Sequence, residues 1–284
     1  YYHLYLDLNK TYIKFMDPSQ NKPIGVIDSG VGGISVLKCI RAHLPHENLI
    51  YVADSKFAPY GEKSNEEITH RVLTVFDFLN KQEVKSVVVA CNTATAASIQ
   101  IVRNKFNYPI IGMEPAVKPA SLISKNKVVG VLATSGTLLS AKFSALLEHH
   151  GNDIHFITQP CFGLVELVET GDLESPALTI LLKKYIDPLL KEDIDTLVLG
   201  CTHYSFIKSA IQNLIPDHIK IVETGDAVAN YLKHVLIEKH LINQNTALGT
   251  IDFWTNSLDQ NADNVIARLW GGDLRGFHYK GLWI

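Results

Sequence analysis

Short apolar runs alternate with amphipathic stretches along this chain from Pro23 onward, and the alternation predicts its secondary structure. Residues 24–27 and 49–52 are continuous apolar runs, which are typical of strands buried on both faces. Between residues 66 and 82, apolar side chains recur at helical spacing, which predicts a helix with one buried face. Strands and helices that alternate in this way favour a parallel sheet covered by helices on both sides.

The pattern continues through the rest of the chain and restarts near residue 128 as a second set of similar elements. Because 284 residues exceed the length of most single domains, we expect two domains. The further predicted elements are strands at 87–90, 128–132, 154–157, 196–199 and 220–222, helices near 34–43, 93–105, 137–150, 164–170 and 175–191, a helix after Cys201, another from about Asp226, and two final strands around a helix near 257–269.

Composition narrows the class of protein. The 26 basic and 29 acidic residues give a net charge of −3 and are spread along the chain, so there is no electrostatic footprint for nucleic acid or a membrane surface. No apolar run approaches the roughly 18 residues of a membrane span. The four cysteines form no Cys-x-x-Cys pair and no metal-binding spacing, which favours free thiols in a reducing cytoplasm and predicts no metal site.

Two segments of the chain have nearly the same order of residues. Residues 85–95 and 195–205 each contain an apolar run, a small residue, a cysteine (Cys91 or Cys201), and then hydroxyl or amide residues that open a predicted helix. A chain that builds this strand–cysteine–helix corner twice is expected to bring the two corners face to face. Two thiols flanking one pocket provide a base for each face of a carbon acid, which is the arrangement that a cofactor-free racemase needs.

The predicted position of both cysteines at helix N-termini favours thiolate chemistry, because unpaired N–H groups and the helix dipole stabilise negative charge. The same N–H groups, with the side chains of Asn92, Thr93 and Thr202, suit a substrate carboxylate. Cys39 and Cys161 lie at no such corner, and we interpret them as small buried hydrophobes.

A glycine-rich turn at residues 28–35 joins the first predicted strand to a helix, and it allows three interpretations. Dinucleotide binding is one, because Asp54 ends the next strand at the expected distance. However, Ser35 occupies the third glycine position, and Asp28 with Ser29 puts a carboxylate where a pyrophosphate would approach. A tight turn that presents Asp28 beside a pocket fits better, and a structural turn with a capping Asp or Ser is the third interpretation.

Three further features lie where strands end. Residues 59–61 (Pro-Tyr-Gly) form a predicted loop, and residues 133–137 form another strand-to-helix loop. Each on its own is only a turn or a cap. His203, two residues after Cys201, is a candidate proton partner for that thiol.

Together these segments resemble the glutamate racemases of the aspartate/glutamate racemase superfamily. The resemblance extends over about residues 23 to 280 and is carried by residues 24–33, the loop 59–61, Cys91-Asn92-Thr93-Ala94 and Gly200-Cys201-Thr202-His203-Tyr204. It implies an α/β fold of two similar, doubly wound, mainly parallel-sheet domains related by pseudo-twofold symmetry. The active site then lies in the cleft between them, with no pyridoxal or metal cofactor.

The resemblance also implies a role for individual residues. Cys91 and Cys201 would be the two bases, Cys91 acting on D-glutamate and Cys201 on L-glutamate, with Asp28 and His203 assisting them. The glutamate that assists the second cysteine matches Glu169 best, with Glu166 as a competitor, because residues 161–169 lack the family's usual prolines. Ser205 also replaces a common proline. The implied substrate-binding residues are Asp28, Ser29, Pro59, Tyr60, Gly61, Asn92, Thr93, Thr134, Thr137, Thr202 and His203.

We therefore assign residues 23–116 with 224–284 to a first α/β domain and residues 117–223 to a second. Residues 1–22 begin without Met and resemble no signal peptide, so we interpret them as an extension or expression-vector remnant outside the fold.

The expected function is interconversion of L- and D-glutamate by an isomerase in the cytoplasm, which supplies D-glutamate for peptidoglycan, cell-wall biogenesis and cell shape. A homodimer is compatible with this reading. The alternatives are a racemase of another amino acid such as aspartate, a non-catalytic amino-acid-binding module, and a nicotinamide-dependent dehydrogenase.

Overall fold

The computed structural model describes residues 18–150 and 153–271, and in these the chain alternates strands and helices. The strands are β1 (Ile24–Asp28), β2 (Leu49–Ala53), β3 (Ser86–Val89), β4 (Ile110–Gly112), β5 (Val128–Ala133), β6 (His155–Pro160), β7 (Thr196–Leu199), β8 (Lys220–Val222) and β9 (Ile251–Thr255). The helices are α1 (Ile34–His43), α2 (Asn65–Lys81), α3 (Asn92–Lys105), α4 (Val117–Ile123), α5 (Ser135–Leu138), α6 (Ala141–His150), α7 (Leu164–Glu169), α8 (Pro176–Leu190), α9 (Lys208–Gln212), α10 (Gly225–Glu238) and α11 (Ala262–Trp270). Short 3₁₀ helices lie at Pro18–Asn21, Ser55–Phe57, Tyr60–Glu62 and Thr202–Ile207.

The strands form two parallel sheets with the same internal order. The first sheet has the order β4-β3-β1-β2-β9 and the second has the order β6-β5-β7-β8. Numbered within its own half, each sheet has the order 2-1-3-4, and β9 is added beside β2 in the first. β3 and β7 are thus equivalent strands, so the residues that follow them occupy equivalent positions at the carboxyl edge, where open parallel sheets bind ligands.

The burial of the strands follows from their apolar sequences. Every residue of β1, β2 and β3 is buried, as expected for a sheet covered on both faces. The long helix α2 begins with a capping box, in which the Ser64 hydroxyl accepts from the Glu67 amide at 3.2 Å and the Glu67 carboxylate accepts from the Ser64 amide at 3.1 Å.

Only part of each end of the chain lies within the described residues. Residues 18–22, assigned above to an extension, contact the first sheet, because Lys85 Nζ donates to the Gln20 carbonyl at 2.5 Å and forms a buried ion pair with Glu47. The rest of the predicted extension, residues 1–17, and the second of the two final strands, beyond residue 271, lie outside the described residues.

No helix in the described part of the chain is both long and apolar enough to cross a membrane.

Candidate active site

Cys91 lies two residues after the end of β3 and is the N-cap of α3. Its Sγ accepts a hydrogen bond from the Ala94 amide at 3.4 Å, as the predicted corner requires. Burial, followed by the nearby charge of Asp28, raises the pKa of this thiol to about 12, and the Ala94 amide and the Ser29 side chain only partly oppose the shift. Cys91 is therefore a neutral thiol that holds its proton near pH 7.

Cys201 follows β7, but the chain after it differs from the prediction. A 3₁₀ helix, Thr202–Ile207, comes first and α9 begins only at Lys208, so the thiol makes no helix-cap hydrogen bond. Instead, the Cys201 Sγ lies 3.6 Å from His203 Nδ1. The two corners match in strand position, yet one thiol contacts a helix amide and the other contacts an imidazole.

His203 links Cys201 to a carboxylate. Its Nε2 lies 2.6 Å from Glu169 Oε1, while its other ring nitrogen faces Cys201. Burial by itself would lower the pKa of His203, but the interactions with Cys201 and Glu169 outweigh burial and raise the pKa well above its usual value. The structure therefore places a positively charged imidazole 3.6 Å from the Cys201 sulfur.

Glu169 also joins the two halves of the molecule. Its Oε1 accepts from the Val31 amide at 2.6 Å, and its Oε2 accepts from the Ser55 hydroxyl at 2.9 Å. Of the two glutamates considered from the sequence, Glu169 is the one that contacts His203. Glu166, three residues earlier in α7, lines an adjoining depression.

The glycine-rich turn is explained by the close approach of these side chains. A Cβ on Gly30 would lie 1.8 Å from Glu169 Oε1, and a Cβ on Gly32 would lie 2.3 Å from His203 Nδ1. Because protein side chains fill the space above both glycines, the turn leaves no room there for a pyrophosphate. The carboxylate of Asp54, which supported the dinucleotide interpretation, is paired with Arg71 and so is not presented to a ribose.

Asp28 connects the two halves through hydrogen bonds to its carboxylate. Its Oδ1 accepts from the Gly30 amide at 3.0 Å, and its Oδ2 accepts from the Thr202 hydroxyl at 3.1 Å. Burial raises the pKa of Asp28 from 3.8 to about 6, although His203 and the hydrogen bonds oppose the shift. Asp28 is thus a buried carboxylate that titrates just below neutral pH.

This pKa predicts a pH-dependent penalty on stability. The pKa of Asp28 is higher in the folded state than in the unfolded chain. The contribution of Asp28 to the free energy of unfolding is therefore fully present below about pH 4 and is lost as pH rises through about 6. A shift of about two units corresponds to about 3 kcal/mol. In urea unfolding, we compare the free energy of unfolding of Asp28→Asn with that of the wild type. We expect this difference to shift in favour of the variant by about 3 kcal/mol as pH rises from about 4 to 7. A free-energy difference that stays constant over this range would contradict the prediction.

The thiols line a small cleft between the two sheets. Its empty volume is about 280 Å³, and its walls come from the carboxyl ends of strands in both halves. Of the residues predicted from the sequence, Asp28, Thr137 and Glu169 do not line the cleft. Val165 and Gly200 line it without having been predicted. The predicted residues that line it are Ser29, Pro59, Tyr60, Gly61, Cys91, Asn92, Thr93, Thr134, Cys201, Thr202 and His203.

Asn92 marks where a ligand would bind. It is buried, and neither its side-chain oxygen nor its nitrogen has a hydrogen-bond partner among the described residues. Beside it, the Thr93 hydroxyl lies 2.8 Å from the Thr134 hydroxyl and 2.9 Å from the Thr137 hydroxyl, which joins the two halves. Since buried polar groups are normally paired, the free amide of Asn92 indicates a polar ligand in the cleft.

Supporting residues escaped the sequence analysis. Ser55 and Val31 hold Glu169, and Arg71 and Asn256 hold Asp54. Arg71 gave the one available signal, because it falls on the apolar face of α2, where a charged residue needs a partner. Among the described residues, no group of three or more His, Cys, Asp or Glu side chains is arranged to hold a metal ion.

Comparison with known proteins agrees with this site. The chain belongs to the Asp/Glu/hydantoin racemase family, whose model matches residues 24–232, and it is thus a racemase by class. Among curated relatives, the glutamate racemase of Pseudomonas syringae pv. tomato is 46% identical over 265 residues, covering 92% of this chain and 96% of that protein.

Solved structures give the same picture. Glutamate racemase from Francisella tularensis in complex with D-glutamate has a TM-score of 0.81 and 29% identity, covering 93% of this chain and 99% of that one. Escherichia coli glutamate racemase in complex with L-glutamate and the activator UDP-MurNAc-Ala has a TM-score of 0.79 and 31% identity, covering 91% of this chain and 97% of that one. The fold of two parallel-sheet α/β domains is the fold of glutamate racemases.

Proposed function

We propose that this protein interconverts L- and D-glutamate by direct proton transfer at Cα, with Cys91 and Cys201 acting on opposite faces. The observation that carries the proposal is that two thiols from equivalent strands of two similar halves line one cleft beside an unpartnered amide. The D- and L-glutamate complexes of the two structural relatives support the choice of substrate.

The two thiols differ in a way that suits one direction of the reaction. Cys91 is a neutral thiol, and Cys201 faces the imidazolium of His203. The Cys201 thiolate would remove the Cα proton of L-glutamate, and the Cys91 thiol would then donate its proton to the opposite face, giving D-glutamate. Each turnover in this direction leaves Cys201 as the thiol and Cys91 as the thiolate, with no group added or lost. Cys201 then releases a proton to solvent and Cys91 takes one up before the next L-glutamate reacts.

The reverse direction needs Cys91 as the thiolate, and Asp28 is the group placed to assist. The negative charge of Asp28 raises the pKa of the Cys91 thiol, and the pKa of Asp28 itself, about 6, lets this carboxylate exchange a proton near neutral pH. We propose that Asp28 serves Cys91 as His203 serves Cys201. This gives each thiol its own titratable partner.

Both carboxylates of glutamate need donors in the cleft. We assign the α-carboxylate to Asn92, Thr93 and Thr202, which line the cleft together with the thiols, because fixed donors stabilise charge that develops at Cα and its carboxylate. We assign the side-chain carboxylate to Ser29 and to the loop that contains Tyr60 and Gly61. Hydrogen bonds between the halves, from the Val31 amide to Glu169 and from Ser135 to Gly61, would hold the cleft closed over the substrate and limit the access of water.

The direct test is to follow D-glutamate formation from L-glutamate by circular dichroism or a coupled assay. Protein dialysed against a chelator and treated with a carbonyl reagent that traps pyridoxal should keep its full rate, because the proposed chemistry uses only side chains. A large loss that is restored by a metal ion or by pyridoxal phosphate would overturn the two-thiol mechanism. Binding of glutamate without turnover would instead favour a non-catalytic binding module.

Substrate length gives a further prediction. Aspartate is one methylene shorter, so it would leave buried donors at one end of the cleft unpaired, at roughly 1–3 kcal/mol each. We expect kcat/KM for glutamate to exceed that for aspartate by at least roughly tenfold, since about 1.4 kcal/mol corresponds to a factor of ten. Equal specificity constants would favour a racemase of broad specificity.

The proposal extends to cellular role and assembly. D-Glutamate made in the cytoplasm would enter peptidoglycan synthesis, as the family resemblance implies. A homodimer is the simplest oligomer compatible with the chain, and sedimentation of the purified protein tests it.

A further inference from the structure

The hydroxyl of Tyr60 is committed to the protein and is not available to a substrate. It donates to Asp54 Oδ2 at 2.5 Å, while the rest of the residue lines the cleft. Both residues are almost fully buried, so water does not compete for this bond. Tyr60 therefore contributes a fixed wall and its backbone to the site, and Asp54 fixes where that wall lies.

Asp54 is itself held from two further directions. Arg71 makes two parallel hydrogen bonds to it, with Nε 2.9 Å from Oδ2 and a terminal nitrogen 2.7 Å from Oδ1. Asn256 Nδ2 donates to Oδ1 at 2.5 Å. The ring of Phe57 lies 3.8 Å from the central carbon of the Arg71 guanidinium and covers it. A carboxylate with four donors in fixed positions is tightly constrained.

Strand register explains how Asn256 reaches this point. β2 and β9 pair in parallel with Ala53 opposite Thr255, so Asp54 and Asn256 follow their strands side by side. Asn256 Oδ1 also accepts from the Lys56 amide at 3.0 Å, which holds the chain between Asp54 and the Tyr60 loop. The late strand β9 thus contributes to the position of a loop that lies almost 200 residues earlier in sequence.

The second half of the molecule closes on the other side of this loop. Ser135 Oγ donates to the Gly61 carbonyl at 2.9 Å, and a Cβ on Gly61 would lie 2.6 Å from the Thr134 Cβ. The loop therefore has a support from the first half through Asp54 and a contact with the second half through Ser135. It is clamped between them and cannot shift toward a shorter ligand without breaking one set of bonds.

We propose that Arg71 and Asn256 are positioning residues that act through Asp54 on Tyr60, and so set the length of dicarboxylate that the cleft accepts. This inference rests on the proposed function, in which the Tyr60 loop meets the side-chain carboxylate. A fixed loop leaves donors unpaired when the ligand is too short, whereas a mobile loop would follow the ligand and discriminate poorly. The buried cluster is therefore a determinant of specificity.

The test begins with Tyr60→Phe, which removes one hydroxyl and leaves the Arg71–Asp54 pair intact. We expect about a tenfold rise in KM for glutamate, with a smaller change in kcat, because positioning and not proton transfer is lost. The ratio of kcat/KM for glutamate over aspartate should fall at least about fivefold. Tyr108→Phe is the matched control, because the Tyr108 hydroxyl has no hydrogen-bond partner among the described residues. This variant should leave KM and the ratio unchanged.

Variants of the positioning residues complete the test. Asn256→Ala should move KM and the ratio in the same direction as Tyr60→Phe. Arg71→Met should raise KM for glutamate and lower the ratio of kcat/KM for glutamate over aspartate. Arg71→Lys should change both values less, since lysine keeps the charge but not the paired hydrogen bonds. If these variants lower only the melting temperature and leave KM and the ratio intact, the cluster is merely structural and the inference fails while the proposed function stands. Wild-type protein that does not racemise glutamate would overturn both.

Discussion

Replacing either Cys91 or Cys201 by serine is expected to lower kcat for glutamate racemisation by about 10²–10⁴-fold, the range for loss of a general acid–base group. An alcohol is a far weaker acid than a thiol, so serine can neither serve as the base on its own face nor readily return a proton. The rate is measured in both directions by circular dichroism. Since the enantiomers have equal free energy, kcat/KM must fall by the same factor in both directions.

Isotope exchange separates the two faces. In D₂O, each serine variant keeps one thiol and should still exchange the Cα hydrogen of one enantiomer more readily than that of the other. The proposed roles predict that Cys201→Ser retains exchange on D-glutamate and that Cys91→Ser retains exchange on L-glutamate. The opposite pattern would reverse the assignment of the faces without removing the two-thiol mechanism.

The other two cysteines provide matched controls. Cys39 lies in α1, outside the cleft walls, and Cys161 lines only the adjoining depression. Cys39→Ser and Cys161→Ser should cost far less activity, apart from any loss of packing at the buried Cys161. A folded Cys39→Ser variant as inactive as Cys91→Ser would contradict the argument from matched corners.

The parts of the fold that depend on local pattern were predictable. Strands β3 and β7 lie where β-branched apolar runs placed them, and the cysteines that follow them line one cleft. This worked because burial on both faces of a parallel sheet leaves a signal within a few residues. The assignment of residues 23–116 with 224–284 and 117–223 to two domains stays a prediction.

Contacts between distant segments were not predictable in the same way. The pairing of Asp54 with Asn256 depends on the register of β2 against β9, which one sequence does not reveal. The same limit applied to Glu166 and Glu169, which are less than one helical turn apart in α7. Only the packing of α7 against the glycine-rich turn selects Glu169.

The turn after Cys201 shows a different limit. The similarity of the two corners predicted a helix after each cysteine, yet a 3₁₀ helix follows Cys201. The 3₁₀ turn brings His203, two residues on, close to the thiol and to Glu169, so the local departure from the repeat is what supplies the imidazole. Sequence similarity between the corners concealed this functional difference.

Glu169→Gln is expected to lower kcat/KM for glutamate by about 10²-fold near neutral pH, because the variant removes the carboxylate that holds the His203 proton. Glutamine keeps the shape of the side chain and an oxygen for the Val31 amide, so the fold should persist. Glu169 is one of the groups that raise the pKa of His203, and its removal lowers that pKa. The imidazolium opposite Cys201 is then lost at a lower pH than in the wild type.

The pH profile therefore distinguishes this role from a structural one. The alkaline decline of kcat/KM should begin at lower pH in Glu169→Gln than in the wild type, since activity falls as His203 loses its proton. Glu166→Gln is the matched control, because it makes the same chemical change on the same helix without a contact to His203, and its profile should overlay the wild type. If Glu166→Gln shifted the decline and Glu169→Gln did not, the chain from Glu169 through His203 to Cys201 would not be the proton partner of that thiol.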